Sequence, residues 1–288
     1  MDRSLKIILF SLILVGTYFS SLTSTHAAPT INVGDPLHVK VLLSDVPHAD
    51  HVKCDGKDIY FKKAEKFLHF YYAESYYSSA KELHCQVLEA ANVLKDISFT
   101  VITPVFPRES LKVKPRKVNL RAKDLDLVLK EKNMKQKIYQ VASPEPLFTE
   151  PFIAPLDAAV TSIYGTQRVF NGVKQSEHLG TDLRASIGTP VLASNRGYVI
   201  LADDLFFEGK VIVLNHGMGI FTAYAHLSDM KVKVGDLVER AQLIALSGDS
   251  GRISGPHLHW GVKIQGQWAD AEKIKGMGGP NDEAEPLP

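Results

Sequence analysis

The sequence is poor in cysteine and has no excess of either charge. Of its 288 residues 2 are Cys, and 33 Lys and Arg oppose 32 Asp and Glu, so the formal net charge is +1. This balance gives no reason to expect a nucleic-acid partner. Hydrophobic residues make up 45% and charged residues 23%, which excludes fibrous, wholly disordered and multi-span membrane proteins. The length suits about two domains of roughly 100–200 residues each.

A long apolar run is also lacking. The longest run, Ile7–Val15, is shorter than the roughly 20 residues of a membrane-spanning helix. Because Arg3 and Lys6 precede it and small residues follow up to Ala27, residues 1–27 are predicted to be a secretory signal peptide, with an uncleaved anchor as the alternative. We therefore expect an exported protein, periplasmic or secreted, with no membrane span once the signal is removed.

Residues 28–104 are predicted to form a small β-sandwich-like domain. Strand-forming segments at Leu37–Leu43, Phe67–Tyr72 and Ile97–Ile102 alternate with turns. The only two cysteines, Cys54 and Cys85, lie here, and export favours a disulfide between them. The irregular spacing of the five histidines of this region argues against a metal site and favours surface or packing roles: His38, His48, His51, His69 and His84.

Residues 105–147 are predicted to be a basic linker that contains one helix. Residues 108–137 carry eleven Lys or Arg against four Asp or Glu. Leu125, Val128 and Leu129 follow Asp124 at helical spacing. This pattern fits a solvated linker with an amphipathic helix, or a basic surface that helps to hold the protein on an anionic wall polymer. At the other end of the chain, residues 276–288 are rich in Gly, Pro and acidic residues, which predicts a flexible tail.

Residues 148–275 are predicted to form an antiparallel β domain. Glycine turns separate its apolar segments, and no helical period of useful length interrupts them. The clearest strand predictions are Pro190–Ala193, Gly197–Ala202, Val211–Leu214 and Ile220–His226.

Four histidines of this domain fall in three short motifs. The motifs are His178–Asp182, Tyr224–Ser228 and Gly255–Trp260. Because side chains alternate along a strand, His257 and His259 point to the same face. Imidazole and carboxylate donors suit zinc, and three protein ligands leave a fourth position for water. The fifth histidine, His216, lies at a predicted hairpin tip and is interpreted as structural.

These motifs resemble those of the lysostaphin and LytM-type zinc endopeptidases, which cut peptide bridges of bacterial peptidoglycan. The resemblance covers about residues 152–270 and includes Thr161–Gly165 with Arg168, Ile187–Val191 and Gly235–Asp236. It implies that His178, Asp182 and His259 bind one zinc ion. It also implies that His226 and His257 are catalytic.

The chain departs from this family at two positions. Gly261 stands where many relatives have Glu after the H-x-H motif and its aromatic residue, so a carboxylate behind the ligands is absent or comes from elsewhere. Phe170 is aromatic but lacks the hydroxyl of the donor that some relatives carry before the first ligand. Arg168 and Tyr164 fit either the wall of a substrate groove or ordinary packing.

The predicted function is therefore zinc-dependent hydrolysis of peptidoglycan cross-links by a monomer. One alternative is a non-enzymatic cell-wall binding protein or amidase activator on the same fold, although the complete set of histidines and Asp182 argues against it. Another is a zinc carboxypeptidase of wall peptides, which the sequence does not distinguish from an endopeptidase.

Overall fold

The computed structural model describes residues 28–141 and 143–281, so the predicted signal peptide lies outside the described residues. In the N-terminal region, alternating burial places apolar side chains on one face of each strand. The strands are β1 (Thr30–Asn32), β2 (Pro36–Leu42), β3 (His51–Cys54), β4 (Lys57–Asp58), β5 (Phe61–Ala64), β6 (Phe67–Ala73), β7 (Glu82–Glu89) and β8 (Asn92–Ile102).

These strands form two sheets with the orders β1-β8-β7-β3-β4 and β2-β6-β5. Both sheets contribute to one hydrophobic cluster, which includes Val39, Phe70, Leu83 and Phe99. The predicted β-sandwich-like fold is therefore confirmed. Cys54 lies directly opposite Cys85 across β3 and β7, and the two form the predicted disulfide.

The linker contains β9 (Arg108–Leu111), a 3₁₀ turn (Pro115–Lys117) and α1 (Ala122–Ile138). The helix is confirmed, but its packed face is not the predicted one, because Leu125 and Leu129 are about half exposed. Met134, Ile138 and Tyr139 pack against the sheet instead. Glu131 on the same face is buried and accepts a hydrogen bond from the backbone N–H of Phe206. This hydrogen bond from a buried side chain takes the place of part of the apolar contact that the leucine pattern predicts.

The C-terminal region is β-rich, as predicted, with antiparallel pairing throughout its large sheet. The strands are β10 (Val160–Ser162), β11 (Gln167–Phe170), β12 (Lys174–Glu177), β13 (Thr181–Arg184), β14 (Pro190–Leu192), β15 (Gly197–Leu205), β16 (Gly209–Asn215), β17 (Ile220–Met230), β18 (Leu237–Val238), β19 (Leu243–Ser247), β20 (His257–Ile264) and β21 (Gln267–Ala269). A short helix, α2 (Ala271–Ile274), follows them.

The large sheet has the path β10-β13-β20-β17-β16-β15-β18, and β14, β19 and β21 pair at its sides. A second, three-stranded sheet has the order β12-β11-β9. Its strand β9 comes from the linker and pairs in parallel with β11. The linker is therefore hydrogen-bonded into the region that carries the histidine motifs.

Packing crosses the predicted domain boundaries. Tyr71 belongs to the main C-terminal cluster, and its hydroxyl donates a hydrogen bond to the carbonyl of Gly278 at 2.9 Å. Gly278, Gly279 and Pro280 are buried, so packed chain continues past the start of the predicted tail. The boundaries themselves stay predictions. Within the described residues, no helix has the length and apolar character needed to cross a membrane.

Candidate metal centre

Three strands bring the motif residues together. In the register of β13 with β20, Asp182 lies opposite His259 and Arg184 lies opposite His257. Because Asp182 and His259 share one face of the sheet, their side chains meet above it. His178 follows the end of β12, and its backbone is held by hydrogen bonds with Thr166 and Gly165. The fold thus places the predicted ligands, which are up to 81 residues apart, at one point.

The candidate metal-binding atoms of His178, Asp182 and His259 lie about 3 Å from one another. Nε2 of His178 lies 3.0 Å from Oδ1 of Asp182 and 3.0 Å from Nδ1 of His259. Nδ1 of His259 lies 2.9 Å from the same Oδ1. Within the described ranges, this is the one group of three or more His, Cys, Asp or Glu side chains that could hold a metal ion.

The chemistry of the donors fits a cation between them. Nδ1 of His178 donates to the carbonyl of Ile163 at 3.0 Å, so Nε2 of the neutral ring carries no hydrogen. The lone pair of Nε2 then faces the Asp182 carboxylate. Because both groups can only accept hydrogen bonds, their contact is unfavourable unless a positive charge lies between them. Tetrahedral donors about 2.0–2.1 Å from zinc would lie about 3.3 Å from one another, close to the observed spacing.

Asp182 is anionic in this site. Its side chain is 7% exposed, and burial alone would raise its pKa, but the contacts of its carboxylate with His178 and His259 hold that pKa well below its usual value. The two carboxylate oxygens have different partners: Oδ1 faces the histidines, whereas Oδ2 is paired with the guanidinium of Arg168. Oδ1 is therefore the oxygen that a metal would meet.

His226 reaches the same space from β17 through a local break in the strand. Its backbone has φ 64°, the left-handed region that His adopts more readily than most residues. The pairing of β17 with β16 shifts register next to it, a bulge of the kind that re-aims a side chain. Nδ1 of His226 donates to the carbonyl of Ser250 at 2.9 Å. Burial, together with His257 and His259, lowers the pKa of His226 to about 3, so its Nε2 carries a lone pair.

His257 is held in the same way. Its Nδ1 donates to the carbonyl of Gly255 at 2.8 Å, which leaves Nε2 as an acceptor. That Nε2 is buried without a hydrogen-bond partner, and it lies 3.6 Å from Oδ1 of Asp182. The rings of His226 and His257 have centroids 4.9 Å apart. An orphaned nitrogen beside the three donors is the feature expected where a water molecule or substrate group completes the site.

A cavity of about 780 Å³ leads away from His178, His226 and His259. Its floor is apolar and consists of strand residues such as Leu201, Val213 and Ala223, and α1 and the residues that follow it form one wall. Gly261 lies opposite Ala223, and a Cβ there would come within 3.0 Å of the Trp268 ring. The cavity has the size and lining of a ligand-binding groove.

The absence of a side chain at Gly180 leaves space for the imidazole ring of His259. A Cβ at this position would lie 2.5 Å from Cε1 and 2.7 Å from Nε2 of His259. Any larger residue would displace the imidazole. The glycine between His178 and Asp182 is therefore required for the position of the third donor.

Other residues singled out in the sequence have structural roles. Tyr164 is buried, its hydroxyl donates to the carbonyl of Trp268, and its ring contacts Phe106. His216 is buried and makes two hydrogen bonds. Phe170 stacks on the guanidinium of Arg252 at 4.3 Å. The five N-terminal histidines belong to no metal group among the residues that the structure covers.

Local sequence patterns miss several residues of the site. Ser162 lies opposite Asp182 in the sheet, and Ser250 orients His226. Glu109, from the linker strand β9, accepts a hydrogen bond from Arg168. The only sequence signal for these three is that Ser162 lies within the motif Thr161–Gly165, because the other two come from a linker and a loop.

Comparisons with known proteins agree on the C-terminal region. Residues 176–271 match the model of peptidase family M23. The chain is 38% identical over 122 residues to a protein named peptidoglycan DD-endopeptidase ShyA from Vibrio cholerae, covering 41% of this chain and 28% of that protein. It is 33% identical over 123 residues to a DD-carboxypeptidase/endopeptidase Mpg from Neisseria meningitidis, covering 43% of this chain and 26% of that protein. The chain thus spans about a quarter of the length of these relatives.

A solved structure extends the likeness to most of the chain. The crystal structure of a Pseudomonas aeruginosa protein, described provisionally as a peptidase M23, aligns with a TM-score of 0.66 and 23% identity. The alignment covers 87% of this chain and 96% of that one. At this identity the match shows a shared fold, including the region that precedes the M23 domain.

Proposed function

We propose that this chain is a zinc-dependent endopeptidase of bacterial peptidoglycan cross-links, because its residues 176–271 match the model of peptidase family M23. The observation that carries the proposal is the convergence of three donor atoms, from His178, Asp182 and His259, within 3.0 Å of one another. The names of the relatives from Vibrio and Neisseria support peptidoglycan as the substrate.

In this proposal His178, Asp182 and His259 hold one zinc ion. A zinc ion in this site would supply Lewis acidity, which polarises a scissile carbonyl and activates a water molecule at neutral pH. Arg168 keeps Oδ2 of Asp182 occupied, so the carboxylate presents Oδ1 to the histidines. The donor set of two imidazoles and one carboxylate leaves room for water and substrate.

In this proposal His226 and His257 transfer protons during the reaction. Each ring donates Nδ1–H to a backbone carbonyl, so each Nε2 can accept a proton from water or, once protonated, donate to the developing negative charge on the carbonyl oxygen. The carbonyls fix both tautomers and both ring orientations before substrate arrives.

The groove beside the histidines accommodates the peptide. Its apolar floor and its volume of about 780 Å³ suit an extended peptide strand. The Cys54–Cys85 disulfide supports a location outside the cytoplasm, where peptidoglycan lies. We propose that the exported chain acts there as a monomer on peptide substrate alone.

Digestion of purified cross-linked muropeptides by the zinc-loaded chain tests this function. Mass spectrometry should show dimeric muropeptides converted to monomers by hydrolysis of the bridging peptide bond, and Asp182→Ala should produce none. Release of a terminal residue alone would favour a carboxypeptidase. Binding to peptidoglycan without any cleavage by the zinc-loaded protein would reject the proposal and favour a non-enzymatic wall-binding protein.

A further inference from the structure

A carboxylate from the linker lies behind the proposed metal ligands. Glu109 is on β9, and the parallel pairing of β9 with β11 sets it opposite Arg168. Nε of Arg168 donates to Oε1 of Glu109 at 2.5 Å. Glu109 lies 59 residues before Arg168 and outside residues 176–271, which match the peptidase family.

Arg168 connects Glu109 to the ligands. While its Nε binds Glu109, its Nη2 donates to Oδ2 of Asp182 and, at 3.0 Å, to the hydroxyl of Ser162. The Arg168 side chain is 14% exposed and that of Asp182 is 7% exposed, so little solvent screens their interaction. The guanidinium is therefore divided between two carboxylates, one from the linker and one from the proposed metal site.

Ser162 links the same carboxylate to a second ligand. Its hydroxyl donates to Oε1 of Glu109 at 3.2 Å and lies 3.3 Å from Nδ1 of His178. Glu109 is thus one hydrogen-bonded residue away from two of the three proposed ligands. Partners of this kind orient metal ligands and tune their charge.

The charges indicate what Glu109 contributes. Arg168 alone would neutralise Asp182 and compete with a metal ion for the carboxylate. A second carboxylate on the guanidinium reduces this competition, and it also holds Arg168 so that Oδ2, and not Oδ1, is the oxygen engaged.

We infer that Glu109 is a positioning residue of the metal site, which acts through Arg168 to keep Oδ1 of Asp182 aimed at the metal. The inference rests on the proposed zinc function. It assigns to the linker strand a part of the site that lies outside the peptidase domain.

Zinc affinity measures this role directly. Zinc is titrated into the metal-free full chain in competition with a chromophoric chelator. Glu109→Gln keeps the size of the side chain and removes its charge, so the Kd for zinc should rise by about 10–100-fold. Glu109→Asp keeps the charge on a side chain one methylene too short for the same contact with Arg168, so its Kd for zinc should lie between those of the wild type and Glu109→Gln.

A matched control and a double-mutant cycle separate positioning from structure. Glu239→Gln makes the same substitution in a surface pair with Arg196 and should leave the Kd for zinc unchanged. If Glu109 acts through Arg168, Glu109→Gln should cause no further loss in an Arg168→Gln background.

Two results would overturn the inference while leaving the proposed function intact. One is a wild-type Kd in a Glu109→Gln chain, and the other is an equal further loss of affinity in the Arg168→Gln background. A wild-type chain that binds no zinc would instead reject the proposed function, and the inference with it. Should Glu109→Gln fail to fold, a Kd for Glu109→Asp equal to that of the wild type would equally count against the inference.

Discussion

Backbone carbonyls decide which nitrogen is presented by three of the four histidines of the site. His226 and His257 donate Nδ1–H to Ser250 and Gly255, and His178 donates Nδ1–H to Ile163. All three therefore point an unprotonated Nε2 inwards. The roles proposed for His178 and His257 differ with distance, since Nε2 of His178 lies 3.0 Å from Oδ1 of Asp182 whereas Nε2 of His257 lies 3.6 Å from it.

This difference predicts that ligands and catalysts separate on mutation. His226→Ala and His257→Ala should retain zinc but lose muropeptide cleavage by about 10²-fold or more, because each removes a group that transfers a proton or stabilises the oxyanion. Zinc content and cleavage rate are measured on the same samples. If His257→Ala releases zinc while His259→Ala retains it, the roles of the two residues are reversed.

His216 is predicted to make stability depend on pH. It is fully buried between the carbonyl of Arg196 and the hydroxyl of Thr222, and burial lowers its pKa to about 4. Above pH 6.5 the ring is neutral in both the folded and the unfolded chain. As the pH falls towards 4 the unfolded chain gains a proton that the folded chain does not, so the free energy of unfolding decreases, by about 2 kcal/mol between pH 7.5 and 5.

Urea denaturation at the two pH values tests this prediction. His216→Gln should lose less free energy of unfolding on acidification than the wild type, whereas His48→Gln, at an exposed position, should match the wild type. Equal pH dependence in His216→Gln and the wild type would show that His216 is not the group responsible.

At the scale of elements, the sequence predicts strands better than it predicts the helix face. Apolar β-branched segments such as Val211–Leu214 fall within observed strands. A strand that is buried on both faces appears in the sequence as a continuous apolar run, so it can be predicted without knowing which strands pair with it. The leucines of α1 give the wrong face, since Glu131 packs through a hydrogen bond to the backbone of Phe206. Helical periodicity predicts the packed face of a helix from its apolar side chains, so it cannot predict a face that packs through a buried polar side chain such as that of Glu131.

The site is predictable where its residues follow a local rule. The alternation of β20 puts His257 and His259 on one face, as the sequence predicts. The bulge at His226 and the pairing of β9 with β11 have no local signature. They depend on contacts between distant segments, and Glu109 could not be found for that reason.

The disulfide stabilises the N-terminal sheets by closing a segment with a sequence separation of 31 residues between β3 and β7. Replacing both Cys54 and Cys85 with Ala should lower the free energy of unfolding by about 3–4 kcal/mol in the chain-entropy model. The Kd for zinc should stay as in the wild type, because neither cysteine contacts the metal site. Chemical denaturation and zinc titration check the two parts, and a loss of zinc affinity would contradict the second.

In the whole molecule, the predicted linker joins the predicted N-terminal domain to the proposed metal site. A chain that begins at residue 105 keeps β9 and should bind zinc with an affinity near that of the full chain. A chain that begins at residue 143 loses β9 with Glu109, and its Kd for zinc should rise by about 10–100-fold. Calorimetry and zinc titration compare the two, and if both are unfolded with zinc present, the two regions share one core and the proposed domains are wrong.

Zinc content per chain tests the central claim most directly. The purified chain is stripped by mild chelation, supplied with zinc, freed of unbound metal and analysed for zinc and protein. The wild type should carry one zinc per chain and Asp182→Ala should carry almost none, because the carboxylate that meets both His178 and His259 has been removed. Less than half an equivalent in the wild type, or unchanged zinc in Asp182→Ala, would contradict the account.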